Sequence, residues 1–183
     1  MRIVIAHRGC PDGFTAAWAL WTKFADQDTK YISASYGDAV VLPTSVEGAE
    51  VIFVDFAWPI NAIRGLAEVA KTVTILDHHK SASIDLRPLF GAVTGFVSVR
   101  DVAGLTYWGV HGGIHENIDA TMDMDRSGAA IAWDWVHPGT QRPRIVEYAQ
   151  DRDLWRFKLP YSREISQWLR SFSYTMADWD HAA

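Results

Sequence analysis

Val73-Thr74-Ile75-Leu76 is a short apolar run, and Asp77-His78-His79 follows it directly. An apolar segment of strand length that ends in polar, chemistry-bearing residues reads as a buried strand opening into a loop. Upstream, Val51-Ile52-Phe53-Val54-Asp55 has the same form, a β-branched apolar run closed by one aspartate. Between them Pro59 opens a helical pattern through Ala70, with proline in the first turn, where its missing N–H costs nothing. Strand, helix, strand, with near-continuous apolar strands, describes an α/β fold: a mostly parallel sheet with helices on both faces.

Working outward, Arg2 to Ala6 reads as a first strand. Gly13 to Phe24 (GFTAAWALWTKF) has helical spacing after a Pro-Asp-Gly turn, and Lys30 to Ser35 suits a second strand. The stretch from Ser81 to Asp123 is glycine-rich and lacks clean periodicity. Phe96 to Val102 and Leu105 to Val110 are candidates there for a hairpin or an extra strand pair. From Ser127 the pattern is helical (SGAAIAWDWV) and stops at His137-Pro138-Gly139. Pro143 to Gln150 and Ser162 to Phe172 suggest two further helices, with no closing element expected after them. These boundaries divide the chain into a main domain over residues 1–160 and, over 161–183, a helical extension or the start of a linker.

The bulk numbers narrow the function classes. The chain has 183 residues, 49% apolar and 21% charged, as for a globular protein with a real core. No run approaches the roughly 20 apolar residues that span a bilayer, so no membrane partner is expected. Cys10 is the one cysteine, so no internal disulfide is expected. With no export signal in the sequence, the expected compartment is the cytosol. A net charge of −5 argues against a purely charge-driven nucleic-acid binder. It leaves open an enzyme that holds phosphates through bound metal ions and a few local arginines. The nine tryptophans read mainly as core.

In a parallel α/β sheet, ligands sit beyond the carboxyl ends of the strands. The first strand ends at His7, with Asp12 in the loop beyond. The third ends at Asp55 and the fourth at Asp77-His78-His79. Neighbouring strands lie about 4.8 Å apart, so these side chains converge. Carboxylates and imidazoles so crowded call for cations; Asp with His suits Mn²⁺ and related ions, and a carboxylate can bridge two of them. Two ions roughly 3.5–4 Å apart would orient a hydroxide and clamp a phosphoryl group. Singly, His7 reads as a surface histidine, Asp55 as a helix cap and Asp77-His78-His79 as a chance string. Their joint occurrence at successive strand ends points to a metal site.

Four elements then occur in order: His7-Arg8-Gly9-Cys10-Pro11-Asp12-Gly13, Val54-Asp55, Asp77-His78-His79-Lys80 and Asp151-Arg152-Asp153-Leu154-Trp155. The chain, over roughly residues 2 to 170, resembles the catalytic domain of the DHH phosphoesterase superfamily. That superfamily includes RecJ-type exonucleases, nanoRNases, family II pyrophosphatases and exopolyphosphatases. The resemblance implies two Mn²⁺ ions, with Mg²⁺ or Co²⁺ as alternatives. His7 would bind the first, Asp12, His78 and Asp153 the second, and Asp55 would bridge both. Asp153 is preferred to Asp151 because relatives carry this aspartate directly before a Thr-Trp or Leu-Trp pair. His79, next to a ligand in an extended backbone, would point elsewhere and face the phosphate, and Asp77 would hold an imidazole in the right tautomer. Lys80 would lie at the substrate. The implied activity is hydrolysis of phosphoester bonds in short oligonucleotides or nucleotides, the substrate being short single-stranded RNA or DNA. Pyrophosphate or polyphosphate hydrolysis is one alternative, and a non-catalytic metal- or nucleic-acid-binding module is another. A homodimer is left open.

Cys10 departs from the family pattern, in which many relatives carry aspartate. A weaker first site, a more hydrated one, one that uses Cys10 with a different ion, and a buried cysteine with no role all remain open. Arg126-Ser127-Gly128-Ala129 opens a helix and reads either as an anion site or as a simple serine N-cap. Arg152, Arg156, Lys158, Arg163 and Arg170 crowd the last quarter with Trp155 and Phe157 among them. That combination suits stacked bases with phosphates on arginine, or a solvated helix face over core aromatics. Gly112-Gly113, between His111 and His115, precedes the fourth motif and reads as a flexible loop rather than as the glycine-histidine motif of a second domain.

Overall fold

The computed structural model describes residues 1–25, 28–38, 45–90, 108–111 and 116–183. Its strands are β1 (Arg2–His7), β2 (Thr29–Ala34), β3 (Glu50–Val54), β4 (Thr72–Asp77), β5 (Trp108–His111) and β6 (Ile118–Met122). Its helices are α1 (Pro11–Phe24), α2 (Ile60–Ala67), α3 (Lys80–Leu86), α4 (Gly128–Val136), α5 (Arg144–Asp153), α6 (Ser162–Arg170) and α7 (Met176–Ala182). The sheet order is β2-β1-β3-β4-β6-β5. The first five strands of that order are parallel, and β5 adds an antiparallel edge against β6.

Each central strand buries both faces, which is why its sequence is apolar throughout rather than alternating. Ile3, Ile5, Val51, Phe53, Val73 and Ile75 face one core with Ile63, Leu66 and Leu86 of α2 and α3. Val4, Ile52, Val54 and Leu76 face the other, under α1, α4 and α5. There alanines at 16, 17 and 19 of α1 share the core with alanines at 129, 130 and 132 of α4, small enough for the helices to pack closely, and Trp18 stacks on Trp133 at 5.9 Å.

The structure fills in two stretches the sequence left unsettled and revises one expectation. β6 lies inside the stretch that carried no firm assignment. Its burial alternates, with Asp119 and Thr121 only partly covered, so five residues carry too little apolar signal. Of the proposed strand pair, Phe96 to Val102 lies outside the described residues, and Trp108 to Val110 falls in β5. Nor does the chain end without a closing element, because α7 follows. Trp179 of α7 is fully buried and its Nε1–H donates to Thr15 Oγ1 of α1 at 2.9 Å. Its core also takes in Leu169 of α6, so α6 and α7 pack on the same core as α1, α4 and α5. Replacing such a ring by alanine costs about 3–5 kcal/mol.

The chain passes from β1 outward to β2, then returns past β1 to β3. The carboxyl ends of β1 and β3 therefore flank the point where the winding direction reverses, the usual ligand crevice of such sheets. No helix among the described residues is long and apolar enough to cross a membrane.

Candidate metal centre

Five elements deliver side chains to this crevice. His7 is the last residue of β1, and Asp12 sits in the first turn of α1. Asp55 follows β3 directly with φ +54°, a left-handed conformation that aspartate tolerates better than most residues but at some strain. Its amide still donates to Leu76 O at 2.9 Å, so the strained residue remains anchored to β4. Asp77 ends β4, and Asp153 ends α5.

Asp55 lies at the centre, 1% exposed. Its Oδ2 is 3.6 Å from His7 Nδ1, and its Oδ1 is 3.1 Å from His78 Nε2. His78 Nε2 is also 3.4 Å from Asp153 Oδ2 and 3.9 Å from Asp12 Oδ2. The donor atoms fall into overlapping sets within 4.8 Å of one another: His7, Cys10 and Asp55; Asp12, His78 and Asp153; and Asp55, His78 and His79. Two glycines allow this density. A Cβ on Gly128 would lie 2.5 Å from Asp55 Cβ, and one on Gly13 would lie 2.7 Å from His7 O.

The electrostatics are unbalanced. Burial, with Asp55 and Asp153 nearby, pushes the Asp12 carboxyl well above the usual range. Burial raises Asp153 as well. Burial would also raise Asp55, but the imidazoles of His7, His78 and His79 hold it down to about 2. His78 goes the other way: burial opposes its charge, yet Asp55, Asp12 and Asp153 raise it to about 9. The Cys10 thiol is pushed up to about 12 by burial and by Asp55 and Asp12. Among the described residues, His7 Nδ1, Asp12 Oδ2, Asp55 Oδ2 and Asp77 Oδ2 are all buried without a hydrogen-bond partner. Each orphan of this kind costs about 1–3 kcal/mol, and those on His7, Asp12 and Asp55 belong to the donor sets.

Asp77 organises the turn after β4. Its Oδ1 accepts from the His78 amide at 2.7 Å, the His79 amide at 3.3 Å and His79 Nδ1 at 2.7 Å. It thereby orients His79 and raises its pKa. The expected divergence of His79 from its neighbour does not occur. The backbone turns into α3 at His79, which keeps its Nδ1 3.9 Å from Asp55 Oδ1.

No family model matches the chain. It is 22% identical over 193 aligned positions to an uncharacterized protein, R106, of Acanthamoeba polyphaga mimivirus, covering 97% of this chain and 39% of that protein. The crystal structure of an uncharacterized protein from Helicobacter pylori G27 matches with a TM-score of 0.58 at 14% identity, over 91% of this chain and 47% of that one. The likeness is one of fold. The chain spans less than half the length of either relative.

The outer residues divide. Asp151 is buried and accepts from the amides of Lys158 and Leu159 at 3.0 and 3.2 Å, closing the loop after α5 while Asp153 faces the centre. Ser127 caps α4, accepting from the Ala130 amide, and the Ala129 amide donates to Asp12 at 3.3 Å. Arg126 is bound to Asp123 and Asp134, both at 2.6 Å. The start of α4 therefore serves Asp12 and its own cap rather than an open anion site. Lys80 is exposed at the start of α3. Arg152 lies 5.1 Å over the Trp155 ring, and Arg156 donates to Asp125 O at 2.6 Å. Sequence reasoning missed Tyr36 and Phe56, which pack edge-to-face at 4.9 Å. Phe56 stacks on His7, and Tyr36 stands 6.0 Å from His79. Adjacency to Asp55 was the available signal for Phe56, and Tyr36 had none. An apolar cavity of about 320 Å³ adjoins His7 between β2, α1 and Tyr174.

Proposed function

We propose that the protein is a metal-dependent phosphohydrolase of the DHH phosphoesterase superfamily, acting in the cytosol on short oligonucleotides or nucleotides. The observation that carries this reading is Asp55, which turns one carboxylate oxygen to each of two donor sets. The donors fit divalent cations: mixed oxygen and nitrogen ligands, with orphaned buried atoms aimed at one another. His7, Cys10 and Asp55 would hold one ion, and Asp12, Asp55, His78 and Asp153 the other, with Mn²⁺ the ion expected in at least the second set. Bound there, such ions would activate water and neutralise phosphoryl charge.

The chain's own groups do the rest. Asp77 fixes His79 with its Nε2 side free for a phosphate oxygen or the leaving oxygen. Lys80, Arg152 and Arg156 would supply positive charge for the rest of the substrate. Trp155 is 71% exposed beside Arg152, and the backbone of Trp155, Phe157 and Tyr161 is left-handed, a concentration of strain next to Asp153. These exposed aromatics favour a base-bearing substrate over pyrophosphate or polyphosphate.

The test is hydrolysis of labelled dinucleotides, longer oligomers, bis-phosphorylated nucleotides and pyrophosphate with Mn²⁺. Mononucleotide or phosphate release from the base-bearing compounds is expected. Release from pyrophosphate alone would favour the small-anion reading, and tight oligonucleotide binding without turnover would favour a binding module.

A further inference from the structure

We propose that the two donor sets are chemically unequal, and that His7, Cys10 and Asp55 form a thiophilic position selective for Zn²⁺ or Co²⁺. The second set, Asp12, Asp55, His78 and Asp153, would keep a harder ion such as Mn²⁺. This rests on the two-cation reading of the site but not on which bond is cleaved.

The cysteine does not stand alone. Asp55, 1% exposed, directs an unpartnered Oδ2 into the same set, and the Nδ1 of His7 is buried and unpartnered beside it. These two atoms are 3.6 Å apart, beyond hydrogen-bonding range. Two ligands held at 2.0–2.2 Å on a tetrahedral ion stand about 3.4 Å apart, so the spacing suits a shared cation better than a direct contact. Cys10 Sγ completes the set within 4.8 Å. Zn²⁺ takes one sulfur, one imidazole and one carboxylate readily, leaving a fourth position open. Mn²⁺ prefers oxygen and gains little from sulfur. In the second set, three carboxylates and one imidazole offer no sulfur at all.

Binding is balanced by proton release. The Cys10 S–H bond breaks, the sulfur lone pair binds the cation, and the proton passes to solvent or buffer. No electron is transferred.

The experiment uses the metal-stripped full chain titrated with Co²⁺ and followed by near-ultraviolet and visible absorption. A thiolate-to-cobalt charge-transfer band should rise to saturation at one equivalent per chain. Cys10→Ser should lose that band and retain cobalt binding at the second set. Cys10→Asp should bind Zn²⁺ at least about 10-fold more weakly at this position, a scale already reached when a group that merely orients a ligand is lost. It should also gain a second Mn²⁺, counted by electron paramagnetic resonance of the free ion. Absence of the band in the wild-type chain overturns the proposal, whatever the variants do, and so does an unchanged cobalt spectrum in Cys10→Ser. The band without any hydrolysis would leave this proposal standing and remove the phosphohydrolase reading. Mn²⁺-dependent hydrolysis without the band would do the reverse.

Discussion

Two charge clusters flank the start of α4, and they are neutralised in opposite ways. On one side Asp123, Arg126, Asp134, Arg142 and Glu147 form a chain in which every carboxylate meets a guanidinium, at 2.6 to 3.4 Å. On the other side Asp12, Asp55, Asp77 and Asp153 face three imidazoles, and several of their buried atoms have no hydrogen-bond partner. The first cluster is complete and needs no ligand, so it contributes to stability. The second is stable only because the surrounding core holds it, and it reads as a site made for cations. Charge density alone would not separate the two; hydrogen-bond satisfaction does.

Substitutions can break that contrast. The largest effect is expected from Asp55→Ala, which removes the one residue shared by both donor sets. Turnover should fall to background and metal binding should collapse in calorimetry, while removal of the buried charge offsets the strain of alanine at φ +54° and the melting temperature of the metal-free protein changes little. Gly128→Ala should come next, because its methyl group must displace Asp55. Activity and metal affinity should fall together, and a loss of turnover with unchanged metal affinity would contradict the packing argument. Asp77→Asn keeps size but weakens the grip on His79, and about 10- to 100-fold in activity or metal affinity is expected, read from steady-state kinetics.

The complete cluster should respond in the opposite sense. Asp134→Asn should cost about 1–3 kcal/mol in urea unfolding and leave kcat unchanged. Burial would raise the Asp134 carboxyl, but Arg142 and Arg126 hold it below the usual aspartate range. A lowered folded pKa contributes stability that is full above the unfolded value and is lost as pH falls through the folded one. The wild-type urea midpoint should therefore drop on the acid side of the ordinary aspartate range, and part of that drop should be missing in Asp134→Asn. The smallest effect is expected from Arg156→Ala at the rim: a raised KM for oligonucleotides with kcat unchanged, as for a contact made equally to substrate and transition state.

Much of the fold was legible because β1, β3 and β4 are buried on both faces and so carry continuous apolar runs ending in polar residues. β6 was not, since its partly covered face carries Asp119 and Thr121. α7 was not either: seven residues with Asp178, Asp180 and His181 look like a solvated tail, and only the burial of Trp179 shows otherwise. His7, Asp55 and His78 meet because strand ends in a parallel sheet converge, whereas Asp12 and Asp153 are brought to them by the helices α1 and α5. At Arg126-Ser127 the choice between an anion site and a serine N-cap stayed open in the sequence, because nothing local reveals that Asp123 and Asp134 would hold Arg126. The left-handed backbone of Asp55 and the approach of Gly128 are tertiary facts with no local signature.

Anomalous diffraction from crystals loaded with Mn²⁺ and Zn²⁺, recorded at both absorption edges, tests the central claim most directly. The account predicts a zinc peak between His7 and Cys10, a manganese peak between His78 and Asp153, and Asp55 touching both. No anomalous peak at Asp55 at either edge would contradict it.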